Sequence, residues 1–197
     1  MTRPTTQLEE LVTCLLRTHH VTTRILLDEA SLVLAAIVAS APRRCPAPIT
    51  TLRRTFAYFR DDLLAHLRTE ERAVFPYIEQ LALALASGGD PPRAVFHSLT
   101  SPVQVMRNEQ EGTRLAMSRL DADFLAARRA HRPQDPTWVE LADILERLAV
   151  DLAEHVRIEQ DELFPAAVAA EERLSRLHAP PPSALDPHAP TLTMRRR

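Results

Sequence analysis

Apolar and polar positions follow a helical period over four long stretches of the chain. Leucine, valine, isoleucine and alanine recur at spacings of three and four residues, and segments rich in proline or glycine interrupt the pattern. The pattern predicts helices over about residues 6–40, 49–86, 101–129 and 136–177. Four long helices joined by loops of moderate length favour an all-α fold, namely an antiparallel up-down-up-down four-helix bundle.

Local signals mark where three of these helices begin. Thr6 and Glu9 have the spacing of a capping box, in which each side chain bonds the backbone of the other residue. Ser101 is predicted as the N-cap of the third helix, with Pro102 at the first helical position. The fourth helix is expected to begin at Pro136. Each signal satisfies or removes a backbone N–H that has no partner within the helix.

The chain divides into one domain and a tail. Residues 1–178 carry the helical pattern and have the length of a single domain with a sizeable core. Residues 179–197 are rich in proline and poor in large apolar side chains. Such a composition is typical of a disordered segment.

Composition excludes several classes of protein. Apolar residues make up 45% of the chain and aromatics only 5%, which favours helices, and the net charge of −2 gives no sign of nucleic-acid binding. No apolar run is long enough for a membrane span or a signal peptide, so we expect a cytoplasmic protein without a membrane partner. Cys14 and Cys45 lack the spacing of a metal or redox motif and are expected to be unpaired thiols.

One phrase occurs twice. "HLRTEERAVFP" begins at His66 and "HVRIEQDELFP" begins at His155, 89 residues later. "HVTTRILL" from His20 aligns in the same way with "QEGTRLAM" from Gln110. The chain therefore reads as two related helical hairpins, and the repeated motifs are expected to meet across the bundle axis.

The repeated phrase places ionisable side chains among apolar ones. Residues four apart lie on one helix face, so His66 stands beside Glu70 and His155 beside Glu159, on or at the edge of the stripe expected to form the core. A single pair of this kind is usually a surface ion pair. Two matching pairs in one core need a compensating charge, because burying unpaired carboxylates is unfavourable by several kcal/mol. Imidazole with carboxylate suits iron, manganese or zinc, and the spacing leaves the number of ions open.

Other ionisable side chains fall outside this pattern. Two glutamates off the ligand spacing are interpreted as solvated charges: Glu71 and Glu162. Five histidines without a repeat partner are interpreted as surface or loop residues: His19, His97, His131, His178 and His188. Pro76 and Pro165, which end the repeated phrase, are expected to kink the second and fourth helices at matching heights.

These features resemble the hemerythrin-like, or HHE cation-binding, family. The similarity rests on "THHVTTR", "HLRTEERAVFP", "SPVQVMRNEQ" and "HVRIEQDELFP", covers roughly residues 8–177, and is nearest to the bacterial branch that repairs iron centres under nitrosative and oxidative stress. The resemblance implies a four-helix bundle with a non-haem di-iron centre. Its terminal ligands would be His20, His66 and His155, and its bridging carboxylates Glu70 and Glu159.

The resemblance is incomplete on the third helix. Where the family has a histidine, this chain has Gln110, which could act as a weak ligand through its carbonyl oxygen. Glu109 is the second candidate for a substitute ligand, although it lies about 100° around the helix from Gln110. The family also has a histidine in the connection after the first helix, where this chain has "ASAPRRC" with none. Five side chains in place of seven would leave more coordination positions for water or substrate.

Three functional hypotheses follow. The first is a di-iron stress protein that handles iron, nitric oxide or reactive oxygen. The second is a metal-dependent oxidoreductase acting on a small molecule, which requires a substrate-sized cavity beside the metal. The third is a bundle with one metal ion or none, serving as a sensor or an interaction module.

Overall fold

The structure, a computed structural model, describes residues 4–41, 45–93, 98–132 and 134–178, with side chains from Gln7 onward. The described part is helical throughout its regular elements and contains no strand. None of its helices combines the length and hydropathy needed to cross a membrane. The predicted tail of residues 179–197 lies outside the described residues, as do His97 and His188 and the side chain of Thr6.

The four predicted helices are present, and three of them contain a short π-helical segment. The α-helical elements are α1 Pro4–Cys14, α2 Val21–Ser40, α3 Ala47–Thr69, α4 Phe75–Ser87, α5 Thr100–Ala130, α6 Pro136–Ile158 and α7 Phe164–Leu177. The π-helical segments are π1 Leu15–His20, π2 Glu70–Val74 and π3 Glu159–Leu163. The first long helix is thus α1–π1–α2, the second α3–π2–α4, the third α5 and the fourth α6–π3–α7.

The observed starts of the fourth and third helices can be compared with the starts predicted from local sequence signals. The carboxylate of Asp135 accepts the Thr137 backbone N–H at 3.0 Å, so the fourth helix begins at Pro136 as predicted. The prediction for the third helix is wrong, because α5 begins at Thr100 and Ser101 is not its N-cap. The carboxylate of Glu171 on α7 instead accepts the Leu99 backbone N–H at 3.0 Å. A side chain from another helix therefore pairs with the backbone N–H just before the helix begins.

Two apolar cores occupy opposite ends of the bundle, and their composition fixes the helix directions. One core contains residues from the ends of the first and third helices and from the starts of the second and fourth, including Ile37, Leu52, Phe124 and Trp138. The other core contains residues from the opposite end of every long helix, including Leu8 and Leu174. Consecutive helices therefore run antiparallel, as the up-down-up-down bundle requires.

The π-helical segments coincide with the repeated phrase. The Phe75 N–H bonds the Glu70 carbonyl five residues earlier, and the Phe164 N–H bonds the Glu159 carbonyl in the same way. A π-turn holds one residue more than an α-turn, and the wider turn gives room to a proline that has no N–H to donate. A kink at Pro76 and Pro165 stays a prediction; what the structure shows is a π-turn just before each of these prolines. The third segment, π1, contains no proline and was not predicted.

Candidate metal centre

A layer of polar side chains separates the two apolar cores. Eight buried polar or charged residues occur in the described part of the chain: His19, His20, Thr23, His66, Glu70, Gln110, His155 and Glu159. All five predicted metal ligands are among them, and Glu70 and Glu159 are each 0% exposed. Each of the four long helices contributes at least one member.

The three predicted histidine ligands point their Nε2 atoms at the two glutamates. His66 Nε2 lies 2.9 Å from Glu70 Oε1, and His20 Nε2 lies 3.3 Å from Glu70 Oε2. His155 Nε2 lies 3.3 Å from Glu159 Oε1 and 3.9 Å from Glu70 Oε2. The repeated phrases therefore meet across the bundle axis, as the repeat predicts.

Most of these close approaches lack the geometry of a hydrogen bond. Seven buried side-chain nitrogen and oxygen atoms in the described chain have no hydrogen-bond partner, and six of them belong to His20, Glu70, His155 and Glu159. Buried polar groups are normally paired, because an unpaired one is unfavourable by about 1–3 kcal/mol. A cation could bind nitrogen and oxygen atoms that lie close together without hydrogen bonds, so these residues fit a metal ion. We call such metal-binding nitrogen and oxygen atoms donor atoms.

The donor atoms form two overlapping groups, each compact enough for one ion. The first is His20, Glu70 and His155, and the second is His66, Glu70 and Glu159. Glu70 belongs to both groups, with Oε2 towards the first and Oε1 towards the second. The two groups are therefore joined through the carboxylate of Glu70.

Two carboxylates outside the layer hold the outer nitrogens of the histidine rings. His20 Nδ1 lies 2.8 Å from Glu71 Oε1, and His66 Nδ1 lies 2.9 Å from Glu109 Oε2. Because a carboxylate accepts the Nδ1 proton, the neutral form of each ring carries its lone pair on Nε2, facing the layer, and this is the tautomer that binds a metal. Arg24 in turn pairs with Glu71 at 2.9 Å.

The charges of the layer perturb one another strongly. Burial opposes ionisation of Glu70, but the imidazoles of His20 and His66 outweigh it and hold the pKa of this carboxyl well below its usual range. Burial and then the charge of Glu70 raise the pKa of Glu159 to about 7. Burial opposes protonation of His66, but Glu70 and Glu109 outweigh it and raise its pKa to about 9. Protons thus supply part of the positive charge that a cation would provide.

On the third helix, both candidates for a substitute ligand contact residues of the polar layer. The Gln110 amide nitrogen donates to Glu159 Oε2 at 2.5 Å, and its oxygen accepts from Gln160 at 2.6 Å. Gln110 therefore positions Glu159. Glu109 contacts His66 from the outside, and its side chain is 47% exposed. Its role in this geometry is to orient a histidine.

Two interpretations of single residues were wrong. His19 is buried, with Nδ1 2.8 Å from Asp151 and its ring centre 5.7 Å from that of His155. Glu71 is not simply solvated, because it holds His20. The interpretations of the remaining described residues are consistent with the structure: Glu162 is an exposed partner of Arg157, His131 and His178 follow helix ends, and Cys14 and Cys45 are unpaired.

The missed residues left only weak signals in the sequence. Asp151 precedes His155 by four residues, as His155 precedes Glu159, so all three share one helix face. The same spacing joins Asp62 to His66, yet Asp62 is exposed. The pattern alone therefore does not tell which aspartate contacts the layer. Glu71 has no sequence signal, because its partner lies 51 residues away.

A cavity of about 620 Å³ opens between α5 and α6 and reaches the polar layer. We call it the α5–α6 cavity. Its inner end contains four side chains of the layer: His66, Gln110, His155 and Glu159. Its wall contains apolar side chains from the last three long helices: Leu63, Met117, Ala149, Leu152, Ala153 and Val156. The cavity therefore lies beside the second group of donor atoms, which has only one histidine.

Comparison with known proteins gives two related bacterial proteins. Over 121 residues, 60% of this chain, the sequence is 31% identical to a protein of Neisseria gonorrhoeae named iron-sulfur cluster repair protein DnrN. Over 129 residues, 64% of this chain, it is 29% identical to the iron-sulfur cluster repair protein YtfE of Dickeya chrysanthemi (strain Ech1591). The matched regions cover 65% and 50% of those two proteins.

The family comparison covers most of the bundle. The description of the matching family is the hemerythrin HHE cation binding domain, and the match extends over residues 12–167. That range includes the whole polar layer with both groups of donor atoms. The chain thus belongs to the hemerythrin HHE family of cation-binding domains.

Proposed function

We propose that this protein is a non-haem di-iron protein that handles or repairs iron centres in the cytoplasm during nitric oxide or oxidative stress. Family membership and the names of the two repair-protein relatives support iron binding and a role in repair. The observation that carries the proposal is the sharing of Glu70 between two compact groups of donor atoms. One shared carboxylate between two histidine-containing groups is what a pair of ions requires.

The five proposed ligands are the imidazoles of His20, His66 and His155 and the carboxylates of Glu70 and Glu159. A bound iron pair would supply electron transfer and binding of small molecules such as dioxygen or nitric oxide. The protein itself contributes orientation, through the outer carboxylates on His20 and His66, and exclusion of water, through the two apolar cores.

Metal content and visible absorption test the proposal. Protein loaded anaerobically with iron is expected to hold two ions per chain and to show the charge-transfer absorption of a ferric pair after oxidation. Glu70→Gln is expected to lose both ions, because both groups of donor atoms need that carboxylate. Glu154→Gln is the control, since Glu154 is an exposed helical glutamate whose ion pair within the described chain is with Arg157.

The stoichiometry separates the hypotheses. One ion or none in the unaltered chain would contradict the di-iron proposal and favour the one-metal or metal-free sensor. If the chain binds two ions but does not restore activity to a nitric-oxide-damaged iron–sulfur protein, the di-iron centre is supported and the repair role is contradicted.

A second candidate function is an oxidoreductase acting on a small molecule. It is favoured by the α5–α6 cavity, whose volume of about 620 Å³ lies within the usual range for small-molecule sites. The cavity reaches the donor group that has a single histidine, where the ligand set is most open. Turnover of a bound organic molecule by the iron-loaded protein would establish this function, and a cavity that binds no organic molecule would contradict it.

A further inference from the structure

The α5–α6 cavity exists because two neighbouring helices are held apart. α5 packs along α3, and α6 packs along α2, but α5 and α6 make few direct contacts. Each presents one face to the gap. On α5 the face extends from Arg107 to Asp121, a length of about 20 Å at 1.5 Å per residue.

The two ends of this gap differ in polarity. At the polar layer it meets the amides of Gln110 and Gln160 and the buried carboxylate of Glu159. Further along it meets Leu63, Met117 and the other apolar wall residues, several of which also belong to the adjoining core. An apolar wall with a few polar groups at one end is typical of a site for a small organic molecule.

The charged residues of α5 that line the cavity are of both signs: two arginines, Glu111 beside them, and Asp121 at the far end of the face. Arg107 and Arg114 both line the cavity, one turn to either side of Gln110 on α5. Arg114 is already paired with Glu111 at 2.7 Å, whereas Arg107 is exposed and forms no ion pair with a described residue. Among the described residues, Arg107 is therefore a cation available to bind a ligand at the polar end.

We propose that the α5–α6 cavity binds a small organic acid, meaning an apolar chain with one carboxylate. The carboxylate lies between Arg107 and Gln110, and the apolar chain extends along Leu63, Met117 and Leu152. This inference rests on the proposed function only in that it places the ligand beside a metal position. The binding itself depends on protein side chains.

Binding of octanoate to the metal-free full-length chain, measured by calorimetry, tests the proposal. Octanoate is expected to bind, and its terminal methyl protons are expected to show a nuclear Overhauser effect to the Met117 methyl group. Ala153→Trp fills the cavity from an exposed position on α6 and is expected to weaken binding at least tenfold. Ala36→Trp is the matched control, because Ala36 is also helical and exposed but lies outside the cavity.

The headgroup is tested separately from the chain. Arg107→Gln is expected to weaken octanoate about fivefold, in line with the loss of one exposed ion pair, and to leave 1-octanol unaffected. Arg53→Gln, at an exposed position on α3 away from the cavity, is expected to change neither affinity. Equal effects of Arg107→Gln on octanoate and octanol would overturn the organic-acid class.

Failure of this inference is distinguishable from failure of the proposed function. Octanoate binding that Ala153→Trp does not weaken, or no binding at all, would overturn the site even in a protein that holds two irons. Conversely, octanoate binding with the expected response to each variant would uphold the site in a protein that holds no iron. Circular dichroism of each variant establishes that it is folded before binding is measured.

Discussion

At the scale of single residues, carboxylates outside the polar layer orient two of its histidines. Glu71 fixes His20, and Glu109 fixes His66, each through Nδ1. Both carboxylates are partly exposed and come from a helix other than that of the histidine they hold. They act on the metal only through the ring that they orient.

We therefore expect Glu71→Gln and Glu109→Gln each to weaken metal binding about 10- to 100-fold without unfolding the bundle. Glutamine keeps the size of the side chain but removes the charge that favours the Nδ1–H tautomer. A competition titration with a metal-binding dye measures the affinity, with Glu154→Gln as the exposed control. An affinity unchanged in both variants would show that the rings are held by packing alone.

At the scale of elements, the π-helical segments allow one helix to keep two faces inward. A π-turn contains one residue more than an α-turn. The apolar positions before and after π2 are one residue too far apart to share a face of a regular α-helix. The extra residue in π2 lets both sets face the core. On one side of π2 this face presents His66, and on the other Phe75 and Ile78. Pro76 is the second residue after the segment, where a regular helix would clash with its ring.

Deletion of Arg72, an exposed residue of π2, is expected to give a regular α-helix with both faces still inward. The deleted chain should fold but lose about 3 kcal/mol of unfolding free energy, because Pro76 then lies in an α-helix interior. Pro76→Ala should restore most of that loss in the deleted chain and have a small effect in the full chain. Urea unfolding of the four proteins measures this coupling.

Deletion of Arg54 supplies the contrast. Arg54 is exposed in the regular helix α3. Its removal rotates the side chains on one side of the deletion by about 100° relative to those on the other side, and this should prevent folding. Equal stability of the two deleted chains would contradict the role given to the π-turn.

At the scale of the whole molecule, a polar layer divides the hydrophobic interior into two cores. In the metal-free protein the balance of charge in this layer depends on protons held by His66 and Glu159. The stability of the metal-free bundle should therefore respond to pH in the range where these groups titrate.

The expected direction is a loss of stability as pH rises from 7 to 9. The folded-state pKa of His66 is about 9 against an ordinary value of 6.5, so its contribution is complete below pH 6.5 and is lost as pH rises through 9. The pKa of Glu159 is raised from 4.5 to about 7, so most of its contribution to stability is already lost below pH 7. Between pH 7 and 9, the unfolding free energy of the metal-free protein should fall by on the order of 1–3 kcal/mol more than that of the His66→Gln variant. Urea unfolding of both proteins at pH 7 and pH 9 measures this difference. An equal loss of unfolding free energy in the two proteins would contradict the role given to His66.

How much the sequence predicts depends on how local the cause is. The helices and the inward faces of His66, Glu70, His155 and Glu159 follow from periodicity and four-residue spacing, which are properties of one helix. The bond of Glu171 to the Leu99 backbone, the bond of Glu71 to His20 and the burial of His19 depend on contacts between helices that lie far apart in sequence. The α5–α6 cavity depends on the separation of two helices, which no local pattern records.

The division into two cores has a consequence for optical measurements. Trp138, the single tryptophan of the chain, lies in one core and donates its indole N–H to the His131 carbonyl at 2.9 Å. Tyr77, one of two tyrosines, lies in the other core and bonds Glu171. Tryptophan fluorescence thus reports on one end of the molecule and Tyr77 absorbance on the other. A bundle whose halves melt separately would give different melting curves from the two chromophores.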